Sequence, residues 1–254
     1  MGLLDGKNAL IFGVANDHSI AWGIARAFHD EGAEVGFSSI ESLVERRVRP
    51  LAESIGSTFV EPADVQSDAD IERVFERWGE THDHLDILVH ALAFAKREDL
   101  AGQFVDTSRD GFALALDVSA YSLVALARAA RPLLQPGSSI LTLTYYGSEK
   151  VVANYNVMGP VKAALEAACR YLAYELGEKR IRVHPISPGP LKTRAASGLK
   201  DFDLLLNEAA SRAPIGELVD IDDVGFTCAY LATPYARRLT GQTMYVDGGV
   251  NIMG

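Results

Sequence analysis

Residues 139–162 read SILTLTYYGSEKVVANYNVMGPVK. Ser139-Ile140-Leu141-Thr142-Leu143 is a short apolar run of strand character, and the pattern over 155–177 is that of a helix. Lys162 follows Tyr155 by seven residues, roughly two turns at 3.6 residues per turn, so such a helix presents phenol and ammonium on one face. A phenol beside a fixed ammonium is an acid whose anion the charge stabilises, and its proton becomes easier to donate or share. Tyr145, ten residues before Tyr155, stands at the mouth of the strand. Spacing alone also fits a surface lysine beside two half-buried tyrosines, so the choice falls to the rest of the chain.

On either side the same alternation repeats. Strands are expected at 8–12, 34–38, 57–61, 86–90, 139–143, 180–187 and 243–247, with helices at 19–30, 42–54, 67–81, 110–133 and 155–177. Apolar runs without a polar face, separated by helices, describe strands buried on both sides in a parallel, doubly wound α/β sheet of seven strands. No linker or repeat divides the chain, and 254 residues with 48% hydrophobic content suit one domain spanning 1–254.

Composition excludes several classes. A net charge of −10 repels nucleic acid and anionic membranes. Cys169 and Cys228 lie in apolar runs without CxxC spacing, as reduced core residues of a cytoplasmic protein. The start, MGLLDGKNAL, shows no signal peptide, and Gly6 breaks the myristoylation pattern. No eighteen apolar residues run together, so no membrane span is expected. His90 has no partner at metal-ligand spacing and reads as a satisfied core histidine, so no metal is assigned.

In a doubly wound sheet, ligands bind outside the carboxyl ends of the strands, where the strand order reverses. After the first strand comes Gly13-Val14-Ala15-Asn16-Asp17-His18-Ser19-Ile20-Ala21-Trp22-Gly23. Gly13 allows a tight turn, Ala15 lets backbone approach a pyrophosphate, Ser19 is placed to cap the helix, and Gly23 to let it approach the sheet. The second strand ends in Ser38-Ser39-Ile40, with neither an acid nor an arginine at its tip; Arg46 and Arg47 come later, on a helix face. Asp64-Val65 follows the third strand where an adenine ring would lie, and the fourth ends in the small residues Ala91-Leu92-Ala93, a flat surface for a ligand or ordinary tight packing.

Almost end to end, the chain resembles the enoyl-[acyl-carrier-protein] reductases, a divergent branch of the short-chain dehydrogenase/reductases. The likeness rests on GVANDHSIAWGIA from Gly13, on Tyr145-x9-Tyr155-x6-Lys162 enclosing NYNVMG, on Ser187-x-Gly189-Pro190-x-x-Thr193, on RAASGLKDF at 194–202, and on Tyr245-Val246-Asp247-Gly248-Gly249. The ordinary Tyr-x3-Lys pairing is absent, because position 159 is Gly. The resemblance implies a Rossmann-type fold and NADH-dependent reduction of the trans-2 double bond of enoyl thioesters in fatty-acid elongation. It implies that Tyr155 acts near the thioester carbonyl, that Lys162 binds the nicotinamide ribose, and that Tyr145 is the second, pocket-side tyrosine. Gly13, Ser19, Ile20, Asp64, Val65 and Thr193 correspond to cofactor contacts, which the reading of strand ends extends to Ala15 and Ala91.

Further expectations follow. NADH is preferred over NADPH, since the tip Ser38-Ser39-Ile40 offers no arginine to a 2′-phosphate. The substrate thioester is carried by acyl carrier protein or coenzyme A. The chain is expected to form a homotetramer through the apolar helices at 112–134 and 158–176. A lid is expected around 193–212, where Arg194 and Lys200 would meet an acidic carrier but Asp203 and Leu204 replace further basic residues. The chain departs from the family in Ala91 and Ala93, where Ser and Gly are common, and in His184-Pro185 of the sixth strand. The alternatives are a reductase of another activated alkene or a carbonyl, and a non-enzymatic dinucleotide sensor. A broken tyrosine–lysine pair would mark the sensor, and here the pair is intact.

Overall fold

The computed structural model describes residues 2–191, 206 and 209–253. The described residues form seven strands: β1 Asn8–Phe12, β2 Glu34–Ser39, β3 Val60–Pro62, β4 Leu85–His90, β5 Leu134–Leu143, β6 Arg182–Pro188 and β7 Met244–Val246. They pair in parallel in one sheet of order β3-β2-β1-β4-β5-β6-β7. The order reverses between β1 and β4, which opens a crevice at their carboxyl ends.

The helices are α1 Ile20–Asp30, α2 Glu41–Leu43, α3 Arg49–Ser54, α4 Asp68–Gly79, α5 Arg97–Leu100, α6 Arg109–Leu116, α7 Ser122–Ala130, α8 Met158–Gly177 and α9 Ile221–Ala232. A π turn, Val44–Val48, joins α2 to α3, and another, Asp117–Tyr121, joins α6 to α7. Successive strand residues point to opposite faces. Ile11, Phe37, Val89 and Leu141 therefore meet α1, α3 and α9, while Leu10, Phe12, Leu88 and Ile140 meet α4, α7 and α8. Each fully buried Leu, Ile or Phe contributes roughly 1.5–3 kcal/mol. Trp78 anchors one face, and Trp22, Phe28 and Phe37 anchor the other.

Several expectations change. α8 starts at Met158, so Tyr155 precedes the helix. Asn154 and Asn156, at φ 63° and 43°, flank it in the left-handed region that asparagine tolerates. The long helix expected over 110–133 is interrupted by the π turn at 117–121. As one piece, Arg109–Ala130 is long and apolar enough to cross a membrane by length and composition. Its Ala115, Leu123, Leu126 and Ala130 are nonetheless buried within the protein.

Helix α9 was not expected at all. Asp220 opens it with a capping box, accepting from the amides of Asp222 (2.8 Å) and Asp223 (2.9 Å) while Asp223 accepts from the Asp220 amide. α9 also explains Gly23. A Cβ there would overlap the Ile221 carbonyl, and one on Gly225 would overlap the Gly23 carbonyl. Gly23 thus serves helix–helix contact of α1 with α9, not contact of helix with strand, and Arg26 pairs with Asp222 across the same seam.

The unusual sixth strand belongs to this construction. Buried Arg182 donates to the Leu231, Ala232 and Thr233 carbonyls at the end of α9, to Ser139 Oγ (3.0 Å) and to His184 Nε2 (3.2 Å). Carbonyls at a helix C-terminus carry partial negative charge, so a guanidinium is well placed there. Burial and Arg182 push the His184 imidazole down to about 3, which leaves it neutral and able to accept.

Candidate active site

A cavity of about 690 Å³ occupies the crevice at the strand ends. Of the residues singled out from the sequence, Gly13, Ala15, Ser19, Ile20, Asp64, Val65, Ala91, Tyr145, Tyr155 and Lys162 all line it. Thr193 lies outside the described residues, as do Arg194, Lys200, Asp203 and Leu204. The second-strand tip, Ser38, Ser39 and Ile40, lines the same cavity, as do Leu100, Leu114, Val118, Val152 and Met158, which sequence reasoning did not single out.

One end of the cavity suits a dinucleotide. Gly13 has φ 105°, and a Cβ on it would overlap the Ala91 carbonyl, so only glycine brings β1 and β4 this close. Ser19 does not cap α1: its hydroxyl donates to the Asn16 carbonyl at 2.6 Å, which leaves first-turn amides of α1 without a side-chain acceptor. Ser39 Oγ ties the β2 tip to the Val14 carbonyl at 3.2 Å. Ser38 Oγ is fully buried, faces no partner among the described residues, and belongs to a cavity-lining residue. A buried hydroxyl without a partner is costly, and a polar ligand in the cavity would relieve it. Asp64 forms a turn of its own, its carboxylate accepting from the Gln66 amide at 3.0 Å.

At the other end lie the tyrosines and the lysine. Tyr145 stands beyond β5, and Tyr155 sits in the asparagine-flanked turn before α8; their rings meet edge to face with centroids 5.0 Å apart. Tyr155 also packs on Gly147, where a Cβ would come within 2.7 Å of its ring. Asn156 Nδ2 donates to the Leu100 carbonyl at 2.9 Å, which fastens the Tyr155 turn to the cavity rim. Lys162, 5% exposed, comes from the second turn of α8 and donates to the Leu143 carbonyl at 2.7 Å. Loop and helix together, not one helical face, bring phenol and ammonium to the same cavity.

The electrostatics correct the expectation of an easily ionised phenol. Burial pushes Tyr155 well above the usual tyrosine range, with Tyr145 and Glu166 adding to the effect. Burial likewise raises Tyr145. Both remain neutral O–H donors near pH 7. Lys162 is pushed down to about 8 by burial, against the opposing pull of Cys169 and Glu166. It is still mostly an ammonium at pH 7.

Behind the cavity, His90 is fully buried. Ser122 Oγ donates to the Val118 carbonyl (2.7 Å), so it accepts from His90 Nε2 (2.8 Å), and His90 Nδ1 accepts from Thr142 Oγ1 (2.7 Å). Burial and then Lys162 push the imidazole down to about 3. His90 is the satisfied core histidine expected from the sequence. The π turn beside it places Ser119, whose hydroxyl accepts from the Phe94 amide and donates to the Phe94 carbonyl. That pair pins the cavity wall that continues Ala91 and Ala93.

A parallel sheet of this order, with a glycine turn at β1 and a tyrosine and lysine at the ends of β5 and α8, defines a nicotinamide-dependent reductase of the short-chain dehydrogenase type. A family model described as Enoyl-(Acyl carrier protein) reductase matches residues 13–251. The curated Enoyl-[acyl-carrier-protein] reductase [NADH] FabI of Aquifex aeolicus is 47% identical over 255 residues, covering 100% of this chain and 94% of the relative. The crystal structure of the A. aeolicus enzyme matches with a TM-score of 0.96, covering 100% of both chains. That of Bacillus cereus, solved with NADP+ and indole naphthyridinone, is 46% identical with a TM-score of 0.98 and full coverage of both chains. That of Anaplasma phagocytophilum, solved with NAD, is 44% identical with a TM-score of 0.96, covering 100% of this chain and 97% of the other. The chain belongs to the enoyl-[acyl-carrier-protein] reductase family.

Proposed function

We propose that this protein reduces the trans-2 double bond of enoyl thioesters, with NADH as reductant, in fatty-acid elongation. The observation that carries this reading is the meeting of Tyr145, Tyr155 and Lys162 in a cavity that also runs past Gly13 and Asp64.

Gly13, the first-turn amides of α1 and Lys162 would hold the dinucleotide, with Ser38 and Asp64 toward its adenosine end. When bound there, it supplies the hydride equivalent that C3 of the enoyl thioester accepts. Reduction at C3 moves negative charge onto the thioester oxygen, giving an enolate, and a solvent-derived proton taken up at C2 then gives the saturated thioester. Tyr155, kept protonated by burial, donates a hydrogen bond to that oxygen, and the bond strengthens as charge develops. Tyr145, at the same cavity wall, offers a second donor. Lys162 binds the ribose and adds positive charge beside the developing anion. Leu100, Leu114, Val118 and Met158 shield the reacting carbons from water.

NADH is the preferred reductant, because Ser38-Ser39-Ile40 offers no cation at the β2 tip and Arg46 and Arg47 stand beyond it in the π turn after α2. The substrate rides on acyl carrier protein or coenzyme A and binds within a single domain; most of the expected lid segment, 193–212, lies outside the described residues. The free, buried cysteines suit the cytoplasm. A homotetramer would cover Tyr171 and Tyr174, which are 73% and 84% exposed on α8. Light scattering at micromolar concentration tests the assembly, and a monomer would refute it.

The functional test follows NADH and NADPH oxidation with a trans-2-enoyl thioester and with a 3-oxoacyl thioester. Oxidation of NADH by the enoyl substrate alone is expected. Preference for the 3-oxoacyl substrate would make the protein a carbonyl reductase.

A further inference from the structure

Glu166 is a buried carboxylate that nothing in the reaction above uses. It is 4% exposed and lies one helical turn after Lys162 on α8. Residues four apart on a helix are neighbours on its surface. Its Oε1 accepts two hydrogen bonds of 2.6 Å, from Thr144 Oγ1 and from Ser148 Oγ. Thr144 immediately precedes Tyr145, and Ser148 ends the 3₁₀ turn Tyr146–Ser148 that follows it. One oxygen therefore grips the chain on both sides of Tyr145. A buried carboxylate is held this tightly only where it is compensated, and short hydroxyl-to-carboxylate bonds are the strong kind.

We propose that Glu166 is a positioning residue of the reaction: it fixes the turn that carries Tyr145 and places a negative charge one helical turn from Lys162. This rests on the roles given above to Tyr145 and Lys162. Facing Lys162 are Glu166 and Cys169 from its own helix, His90 from β4 and the Leu143 carbonyl from β5, with Tyr145 and Tyr155 lining the same cavity. Burial lowers Lys162 to about 8, and Glu166 opposes that shift. Without the charge of Glu166, the ammonium is lost at lower pH. Without its hydrogen bonds, Tyr145 loses its register against Tyr155.

The test uses the full chain in two arms. In the first, NADH binding to Glu166→Gln and to the parent protein is titrated from pH 6 to 10. The variant keeps the acceptor oxygen and the shape, so affinities should coincide near pH 6.5. The alkaline weakening should begin about one pH unit lower in the variant, which is roughly a tenfold weaker affinity around pH 8 to 9. In the second arm, Ser148→Ala is placed in the parent and in the Tyr145→Phe background. It should lower kcat/KM several-fold in the parent and leave the Tyr145→Phe enzyme unchanged. Superimposable pH curves, or equal losses from Ser148→Ala in both backgrounds, would overturn the proposal. Should Glu166→Gln fail to fold, the Ser148 arm decides alone. The binding arm needs no turnover, so failure of the enoyl reductase reading is seen separately, as absence of activity in the parent protein.

Discussion

Tyr145 and Tyr155 meet edge to face at 65°, although one stands past the end of a strand and the other lies in a turn before a helix. Two neutral donors therefore share one cavity wall. Tyr155→Phe should lower kcat by less than the roughly 10²–10³-fold typical of losing a lone donor, and NADH affinity should stay constant. The Tyr145/Tyr155 double phenylalanine variant should lose more than the product of the single losses, because each tyrosine covers for the other. A simple product would mean that only Tyr155 reaches the oxygen.

Lys162, held near 8 by burial, gives NADH binding an alkaline limit. The folded-state value lies below the ordinary 10.5, so the ammonium proposed to grip the ribose is present below about pH 8 and lost above it. Calorimetric titration should show affinity flat from pH 6.5 to 7.5 and falling about tenfold per unit well above 8. Lys162→Ala should bind weakly at every pH and erase that dependence. An affinity unchanged to pH 10 would refute the assignment.

Acid should destabilise the fold through two buried imidazoles. His90 and His184 both fall from 6.5 to about 3 in the folded state. Between those values the unfolded chain binds more protons, so stability is fully present above pH 6.5 and drains away as pH falls toward 3. At pH 5 each histidine should have withdrawn roughly 2 kcal/mol. Thermal melts should shift down by on the order of 10 °C between pH 7 and pH 5, and His184→Gln should flatten the slope.

The α1–α9 seam should fail at Gly23. Any Cβ there displaces the Ile221 backbone, so Gly23→Ala should cost roughly 2–3 kcal/mol. Gly177, at the end of α8, has nothing within 4 Å of an added Cβ. Gly177→Ala should be neutral or stabilising by about 0.5–1 kcal/mol. Equal effects of the two in denaturant unfolding would contradict the close packing.

The strands were legible because parallel strands covered on both faces must be continuously apolar, as Ala9-Leu10-Ile11-Phe12 is. That Gly13 and Asp64 line the cavity was legible because they stand at strand ends. Tyr155 was misplaced onto the helix because spacing cannot reveal that Asn154 and Asn156 turn the backbone left-handed. Glu166 was invisible, since a glutamate in a helix ordinarily reads as a solvated face and only tertiary packing buries it against Thr144 and Ser148. Helix α9 does carry a sequence signal, the Asp220-x-x-Asp223 capping box ahead of an apolar run, which strand ends alone do not reveal.

The most direct measurement is turnover of a trans-2-enoyl thioester with NADH deuterated on the transferring carbon, followed by locating the label in the product. The expected product is the saturated thioester with deuterium at C3, formed by the parent protein and strongly reduced with Lys162→Ala. Unlabelled or unreduced thioester, or label delivered instead to the carbonyl carbon of a 3-oxoacyl substrate, would contradict an enoyl reductase built on Tyr155 and Lys162.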